Sequence, residues 1–190
     1  EKNFPIYQFT NSSDGNRFYK VFKDRAGWYW LGGDNGLIRT RGLGQKDFES
    51  YWYRMDAAPY KLPHNRIRDI YQDVAGHLWI ASDGGVNVFD AQTKQFRSFD
   101  IVDSNGMRNA KWAYNILEDK QGELWIATYM GGIFKVNKNK LLSSSGSFIA
   151  NKNYTQSDGL LADFANQIVD NGRGKILALF YNLGISSIDP

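Results

Sequence analysis

No cysteine occurs in the 190 residues, which excludes disulfide frameworks, Cys-ligated zinc, iron–sulfur clusters and thiol nucleophiles. Histidine occurs only twice, so a histidine-rich metal site is out of reach, and proline is scarce at four. No run of five or six like charges exists, and 23 Lys and Arg stand against 20 Asp and Glu, +3 in all. The basic residues are scattered, so no nucleic-acid partner is expected. No stretch approaches the ~18 apolar residues of a membrane span, and Glu1-Lys2-Asn3 opens nothing like a signal peptide. Neither a membrane contact by this segment nor a cofactor is expected.

What is abundant is aromatic and small. Six Trp, eleven Tyr and twelve Phe accompany nineteen Gly. Aromatics favour pleated, half-buried strands, and Gly supplies the positive φ of tight turns. At about 150 residues per domain the length allows one ordinary domain, and the composition leans all-β.

The chain repeats itself. Four segments align without gaps: Val21-x-x-Asp24-x-x-Gly27-x-x-Trp30, Ile70-x-x-Asp73-x-x-Gly76-x-x-Trp79, Ile116-x-x-Asp119-x-x-Gly122-x-x-Trp125 and a degenerate Ile168-x-x-Asn171-x-x-Gly174-x-x-Leu177. Their spacings are 49, 46 and 52 residues. Apolar runs flanking D-x-x-G read as a hairpin whose Asp accepts backbone N–H groups while the Gly closes the turn. Each of these carboxylates sits alone beside its own glycine, so they are read as turn caps and not as acid–base or metal groups.

A second, Gly-rich turn follows each Trp, at Gly32-Gly33-Asp34-Asn35-Gly36, Ser82-Asp83-Gly84-Gly85, Tyr129-Met130-Gly131-Gly132 and Tyr181-Asn182-Leu183-Gly184. A dinucleotide loop needs a helix after it, and a strand follows here. A further apolar run at 48–53, 96–99 and 148–154 completes units of four short strands, which is the sequence form of a propeller blade. The chain therefore reads as all-β, a single propeller segment over 1–190 with four blades of four antiparallel strands, motifs near 18–39, 67–90, 113–136 and 165–189. A strand at 7–10 is placed to complete the last blade. A closed four-bladed ring and a piece of a larger propeller both fit, and an open arc would associate through its end faces with neighbouring blades or another copy of the chain. The Ser-rich stretch 141–147 is expected to be a flexible loop.

The line Ile116-x-x-Asp119-x-x-Gly122-x-Leu124-Trp125-Ile126-Ala127-Thr128-x-x-Gly131-Gly132-Ile133 resembles the two-component regulator propeller repeat, and 70–88 matches it with Leu78-Trp79-Ile80-Ala81-Ser82 and Gly84-Gly85-Val86. Linkers ending in Asp158-Gly159-Leu160 and Asn105-Gly106-Met107 fit too. The resemblance covers nearly the whole chain, the first and fourth copies least well. It implies the periplasmic sensor region of a hybrid two-component histidine kinase, in the family often two seven-bladed propellers, which binds an oligosaccharide and performs no turnover itself. The kinase, receiver and DNA-binding parts of such a protein have no counterpart in these residues.

Ligands of propellers usually meet the loops between second and third strands and those entering the inner strands. Here these loops offer Asn35, Asp83, Tyr129, Tyr181 and Asn182, then Arg66, Arg108, Lys111 and Trp112, with Asp34, His64, Asn65, Asn109 and Asp163 beside them. Aromatic rings stack on sugars, and Arg, Asn and Asp bond hydroxyls or uronate carboxylates. The pairs Trp112 with Arg108 and Tyr129 with Lys111 are the leading constellations. Trp30, Trp79 and Trp125 read as packing between blades. Trp112 departs from Arg66 and Ala165 near the related positions, whereas Tyr129 and Tyr181 share one repeat position and so read also as packing. Two other classes stay open. A propeller lyase, similar to the streptogramin lyases, would need an essential His with acidic neighbours, and only His64 and His77 exist. A purely structural or protein-interaction propeller would need no ligand at all.

Overall fold

The computed structural model describes residues 17–42, 49–56 and 61–190. The strand expected at 7–10, and Phe48 at the start of another run, lie outside these residues. Within them the chain is all-β, four sheets with almost no helix. The first sheet is β1 (Phe18–Lys23), β2 (Tyr29–Gly33), β3 (Gly36–Arg41) and β4 (Glu49–Tyr53), in sequence order. The second is β5 (Ile67–Gln72), β6 (Leu78–Ser82), β7 (Gly85–Asp90) and β8 (Gln95–Val102). The third begins with β9 (Ala113–Glu118), β10 (Glu123–Thr128) and β11 (Ile133–Asn137), and the fourth is β14 (Gln167–Asp170), β15 (Ile176–Phe180) and β16 (Gly184–Ile188).

The Ser-rich stretch corrects the expectation of a loop. Helix α1 (Lys138–Ser143) takes up its first three residues, leaving 144–146 as the connection, and is capped by the Asn137 side chain, which accepts from Lys140 N at 2.9 Å. Leu141, read as loop, is fully buried. The apolar run at 148–154 is likewise two strands. Its first part, β12 (Ser147–Ile149), pairs in parallel with β8 of the second sheet, and β13 (Lys152–Tyr154) then closes the third sheet against β11. The second sheet thus holds five strands where four were expected.

In three blades one carboxylate organises the first turn. Asp24 Oδ1 accepts from Trp28 N at 2.9 Å, and Asp24 Oδ2 accepts from Trp30 Nε1 at 2.8 Å. Asp73 does the same for His77 N (2.8 Å) and Trp79 Nε1 (3.0 Å), and Asp119 for Glu123 N (2.9 Å) and Trp125 Nε1 (2.7 Å). The repeat's Asp and Trp are therefore hydrogen-bonded partners six residues apart. The fourth copy lacks both: Asn171 Oδ1 accepts from Lys175 N at 3.1 Å, and the apolar Leu177 offers no donor. In the second turn, Gly132 has φ +83° and a Cβ there would collide with Tyr154 O, so only glycine lets the outermost strand approach.

The alternation of the strands builds three cores, one between each neighbouring pair of sheets. Trp30 and Tyr53 pack against Ile67, Ile70, Leu78 and Phe89. Trp79 and Val86 meet Ile116, Leu124 and Phe134. Trp125 and Ile133 meet Ile168, Ala178 and Phe180. The repeat tryptophans are at most 1% exposed, and burying side chains of this kind contributes about 1.5–3 kcal/mol each. The inner strands β1, β5, β9 and β14 lie side by side in that order. A polar chain links them through residues just ahead of the repeat's aliphatic position. Lys20 Nζ reaches Asp69 at 2.7 Å, Asp69 accepts from Asn115 Nδ2 and from Ile116 N at 3.1 Å, and Asn115 accepts from Ile168 N at 2.8 Å. On the end sheets Val21, and Val169, Leu179 and Ile185, are exposed.

At the opposite end of the strands, Lys138 sits buried between two sheets, with Nζ on Asp73 at 3.1 Å and on Glu118. Burial alone would raise the Asp73 carboxyl, but bonds from Trp79, His77 and Lys138 outweigh it and hold it below the ordinary 3.8. Burial would lower Lys138, and Glu118 and Asp73 instead raise it above 10.5. The stability from Asp73 is complete above its ordinary value and disappears as pH falls through its depressed folded value. That from Lys138 is complete below 10.5 and disappears as pH rises through its raised one.

Two outcomes follow, both readable by urea unfolding. Asp119→Ala strands a buried indole N–H and costs about 2 kcal/mol, whereas Asn171→Ala, with no indole to satisfy, costs less than about 1 kcal/mol. Lys138→Met leaves two buried carboxylates without a counter-charge and costs about 3 kcal/mol near neutrality. The same variant is expected to lose Lys138's share of the alkaline fall in stability, so its stability should drop less steeply than that of wild type above pH 10.5.

Candidate functional site

The turns between second and third strands and the loops entering the inner strands meet at one end of the sheets. There the carboxylates and guanidinium groups of the first two blades interlock. Arg66 Nε donates to Asp34 Oδ1 at 2.9 Å, and its Nη1 lies 3.4 Å from Asp83 Oδ2. Arg68, from inside β5, holds Asp83 with two bonds, Nε to Oδ1 at 2.8 Å and Nη2 to Oδ2 at 3.3 Å. Asp34 also accepts from the Tyr19 hydroxyl and from Arg17 at 3.3 Å. Burial would raise the Asp34 carboxyl, and the Tyr19 bond with the two arginines brings it below its usual value.

An aromatic group stands beside these charges on the third blade. The Tyr129 ring stacks on Tyr114 (5.7 Å, 18°), is tilted against Trp112 (5.5 Å, 46°) and reaches Phe164 at 6.3 Å. The Arg68 guanidinium lies over Tyr114 at 4.5 Å, which joins the aromatic group to the ion pairs. Trp112 has φ +49°, a conformation that bulky residues rarely adopt. Its backbone is held from both sides: Trp112 N donates to Asp83 O at 3.2 Å, and Trp112 O accepts from Tyr129 N at 3.0 Å. The ring stays 44% exposed, as does that of Tyr129, whereas the repeat tryptophans are buried. Local strain of about 1–3 kcal/mol that surrounding bonds enforce is a mark of functional positions.

Trp112 divides two depressions. One, of 280 Å³, is lined by Arg66, Arg68, Asp83, Trp112, Tyr114 and Tyr129. The other, of 340 Å³, lies among Met107, Arg108, Asn109, Lys111, Trp112 and Met130. Asp103 accepts from the N–H groups of Met107 (2.8 Å) and Arg108 (3.1 Å) and so shapes the turn that forms its rim. Arg108 Nη2 meets Asp163 Oδ2 at 2.8 Å.

Of the residues singled out in the sequence, Arg66, Asp83, Trp112 and Tyr129 share the first depression, and Arg108, Lys111 and Trp112 share the second. The pair Trp112 and Arg108 is together; Tyr129 and Lys111 are not, because they line different depressions on the two sides of Trp112. Asn35, Tyr181 and Asn182 lie in turns of the outer blades and line neither. Tyr181 is 71% exposed and takes no part in the aromatic group, so it does not share the packing of Tyr129. The sequence reading missed Arg68, Tyr114 and Tyr19. All three stand two residues ahead of the repeat's aliphatic position, and that shared place in the repeat was the available signal. His77 lies away from this end, its Nδ1 2.9 Å from Asp73. His64 Nδ1 accepts from Arg66 N at 3.1 Å.

The two-component regulator propeller model matches residues 61–84 and 107–130. The extracellular domain of one B. thetaiotaomicron protein, described as a one-component system in one crystal structure and as a hybrid two-component system in another, superposes with TM-scores of 0.92 and 0.90. Identities are 48% and 47%, over 98% and 92% of this chain and 26% and 24% of that one. The chain thus spans about a quarter of the length of the extracellular domains it matches. A histidine kinase of Formosa agariphila is 33% identical over 78 residues, 38% of this chain and 6% of its own. A virginiamycin B lyase from Staphylococcus aureus, at 14% identity and a TM-score of 0.54 over 94% of this chain and 57% of that one, shares the fold alone. No helix among the described residues is long and apolar enough to cross a membrane. Residues 61–84 and 107–130 thus match the two-component regulator propeller repeat, and the chain as a whole is similar to the extracellular domain of a hybrid two-component system.

Proposed function

We propose that this chain forms part of the periplasmic, ligand-sensing region of a hybrid two-component signalling protein, and that its loop face binds an oligosaccharide without turning it over. The observation that carries the reading is Trp112. A bulky residue is fixed at positive φ by backbone bonds from two blades, and its ring is left open to solvent between two depressions. A core-packing role would bury that ring. Sugars present C–H faces to such rings, while their hydroxyls accept from Arg66 and Arg108 and donate to Asp83 around it.

Signalling then requires that the sugar bind one arrangement of the sensor better than another, the difference in binding energy setting the shift. Further blades, or a second copy of the chain, are the partners through which such a shift passes. The lyase reading has the shared fold in its favour and no more. His77 is committed to a turn carboxylate, and His64 accepts from a backbone N–H.

Calorimetric titration of the full-length sensor against a panel of plant and algal oligosaccharides tests the proposal. One member of the panel is expected to bind, and Trp112→Ala to weaken it at least about tenfold, the size of effect found for central aromatic contacts. The circular dichroism spectrum of the variant should match wild type. Unchanged affinity in a folded Trp112→Ala protein rejects this face as the binding site.

A further inference from the structure

The depression between the second and third blades carries its cations already neutralised. Arg66 is shared between Asp34 at 2.9 Å and Asp83 at 3.4 Å. Arg68 spends two donors on Asp83, and a tyrosine ring covers its face. An anionic group brought to either guanidinium would also approach a carboxylate held within a few ångströms of it. The Coulombic gain from one is offset by repulsion from the other, while the cost of dehydrating the anion stays. The remaining lining is aromatic, Trp112, Tyr114 and Tyr129. The negative face of an aromatic ring disfavours a carboxylate or sulfate and favours polarised C–H groups.

The same arrangement suits a hydroxyl. A hydroxyl both donates and accepts, and here an arginine N–H donor and a carboxylate acceptor stand side by side in fixed geometry. Neighbouring hydroxyls on one sugar ring would engage the Arg66–Asp83 pair without any change in its charge. Resting on the oligosaccharide reading above, we infer that this depression takes an uncharged sugar unit and discriminates against uronic acids and sulfated sugars. Asp83 is the residue that sets this preference, because it compensates both arginines at once.

The test compares neutral galacto-, xylo- and manno-oligosaccharides with oligogalacturonates and heparin-derived sulfated oligosaccharides, titrated calorimetrically into the full-length protein. Wild type is expected to bind a neutral oligosaccharide at least about tenfold more tightly than any charged one, with little dependence on salt. Asp83→Asn keeps the shape and removes the charge. It should weaken the neutral ligand, strengthen the oligogalacturonate or sulfated ligand, and make that binding salt-sensitive. Asp34→Asn, which frees Arg66 alone, should shift the ratio the same way by less, and it serves as the second variant should Asp83→Asn fail to fold. Trp112-dependent binding of a charged oligosaccharide by wild type, as tight as that of the neutral ones, overturns this inference and leaves the oligosaccharide reading standing. An Asp83→Asn protein that loses affinity for both classes equally also overturns it. If no sugar of either class binds, both the reading and the inference fall.

Discussion

A hydrogen bond from an indole N–H to an aspartate six residues earlier underlies each complete blade. The tryptophan must be buried, because its surface fills the space between two sheets, and a buried N–H without a partner is costly. The aspartate that caps the preceding turn supplies that partner with its second oxygen. One side chain thereby fixes the turn, the register of the first two strands and the rotamer of the largest core residue. The fourth copy makes the dependence visible. Where tryptophan is replaced by Leu177 the second acceptor oxygen has nothing to bond, and Asn171, with one acceptor, suffices.

This explains how much of the architecture the sequence reveals. Asp, Gly and Trp recur because each has a backbone or packing duty that few other residues meet, so the four blades and the burial of Trp30, Trp79 and Trp125 are legible from spacing alone. The segment after β11 is not. Its serines and glycine suit a loop, and nothing local announces that Leu141 enters the core or that β12 pairs with a neighbouring blade. Those outcomes are set by contacts with residues 97–102, some 45 positions away. A repeat pattern describes what the copies share and is silent on what one copy adds.

The site divides along the same line. Loop positions that break the repeat, such as Trp112 and Arg66, stand out against their counterparts and fall together at one end of the sheets. Arg68, Tyr114 and Tyr19 were hidden because they lie on strands, where an isolated polar or aromatic residue passes for ordinary alternation. Their shared place two residues before the aliphatic position becomes meaningful once the inner strands are seen to lie side by side. The pairing of Tyr129 with Lys111 failed for a geometric reason. Trp112 lines both depressions, whereas Tyr129 lines one and Lys111 the other.

The parallel pairing of β12 with β8 has a mechanical consequence. Each neighbouring pair of blades is joined by side-chain packing and a few polar bridges, among them Gly36 N on Asn65 O and Gly132 N on Asp163 O, both at 2.7 Å. The second and third are also stitched at their outer rim by a backbone ladder, with Ala150 N on Val102 O at 2.8 Å as its last rung. Arg97 tightens the same seam on the carbonyls of Leu142 and Ser144. These two blades are therefore tied together at the rim, and the depression holding Arg66, Asp83, Trp112 and Tyr129 spans the same pair at one end of the sheets. Parting one blade from the other there would break that ladder as well as the packing.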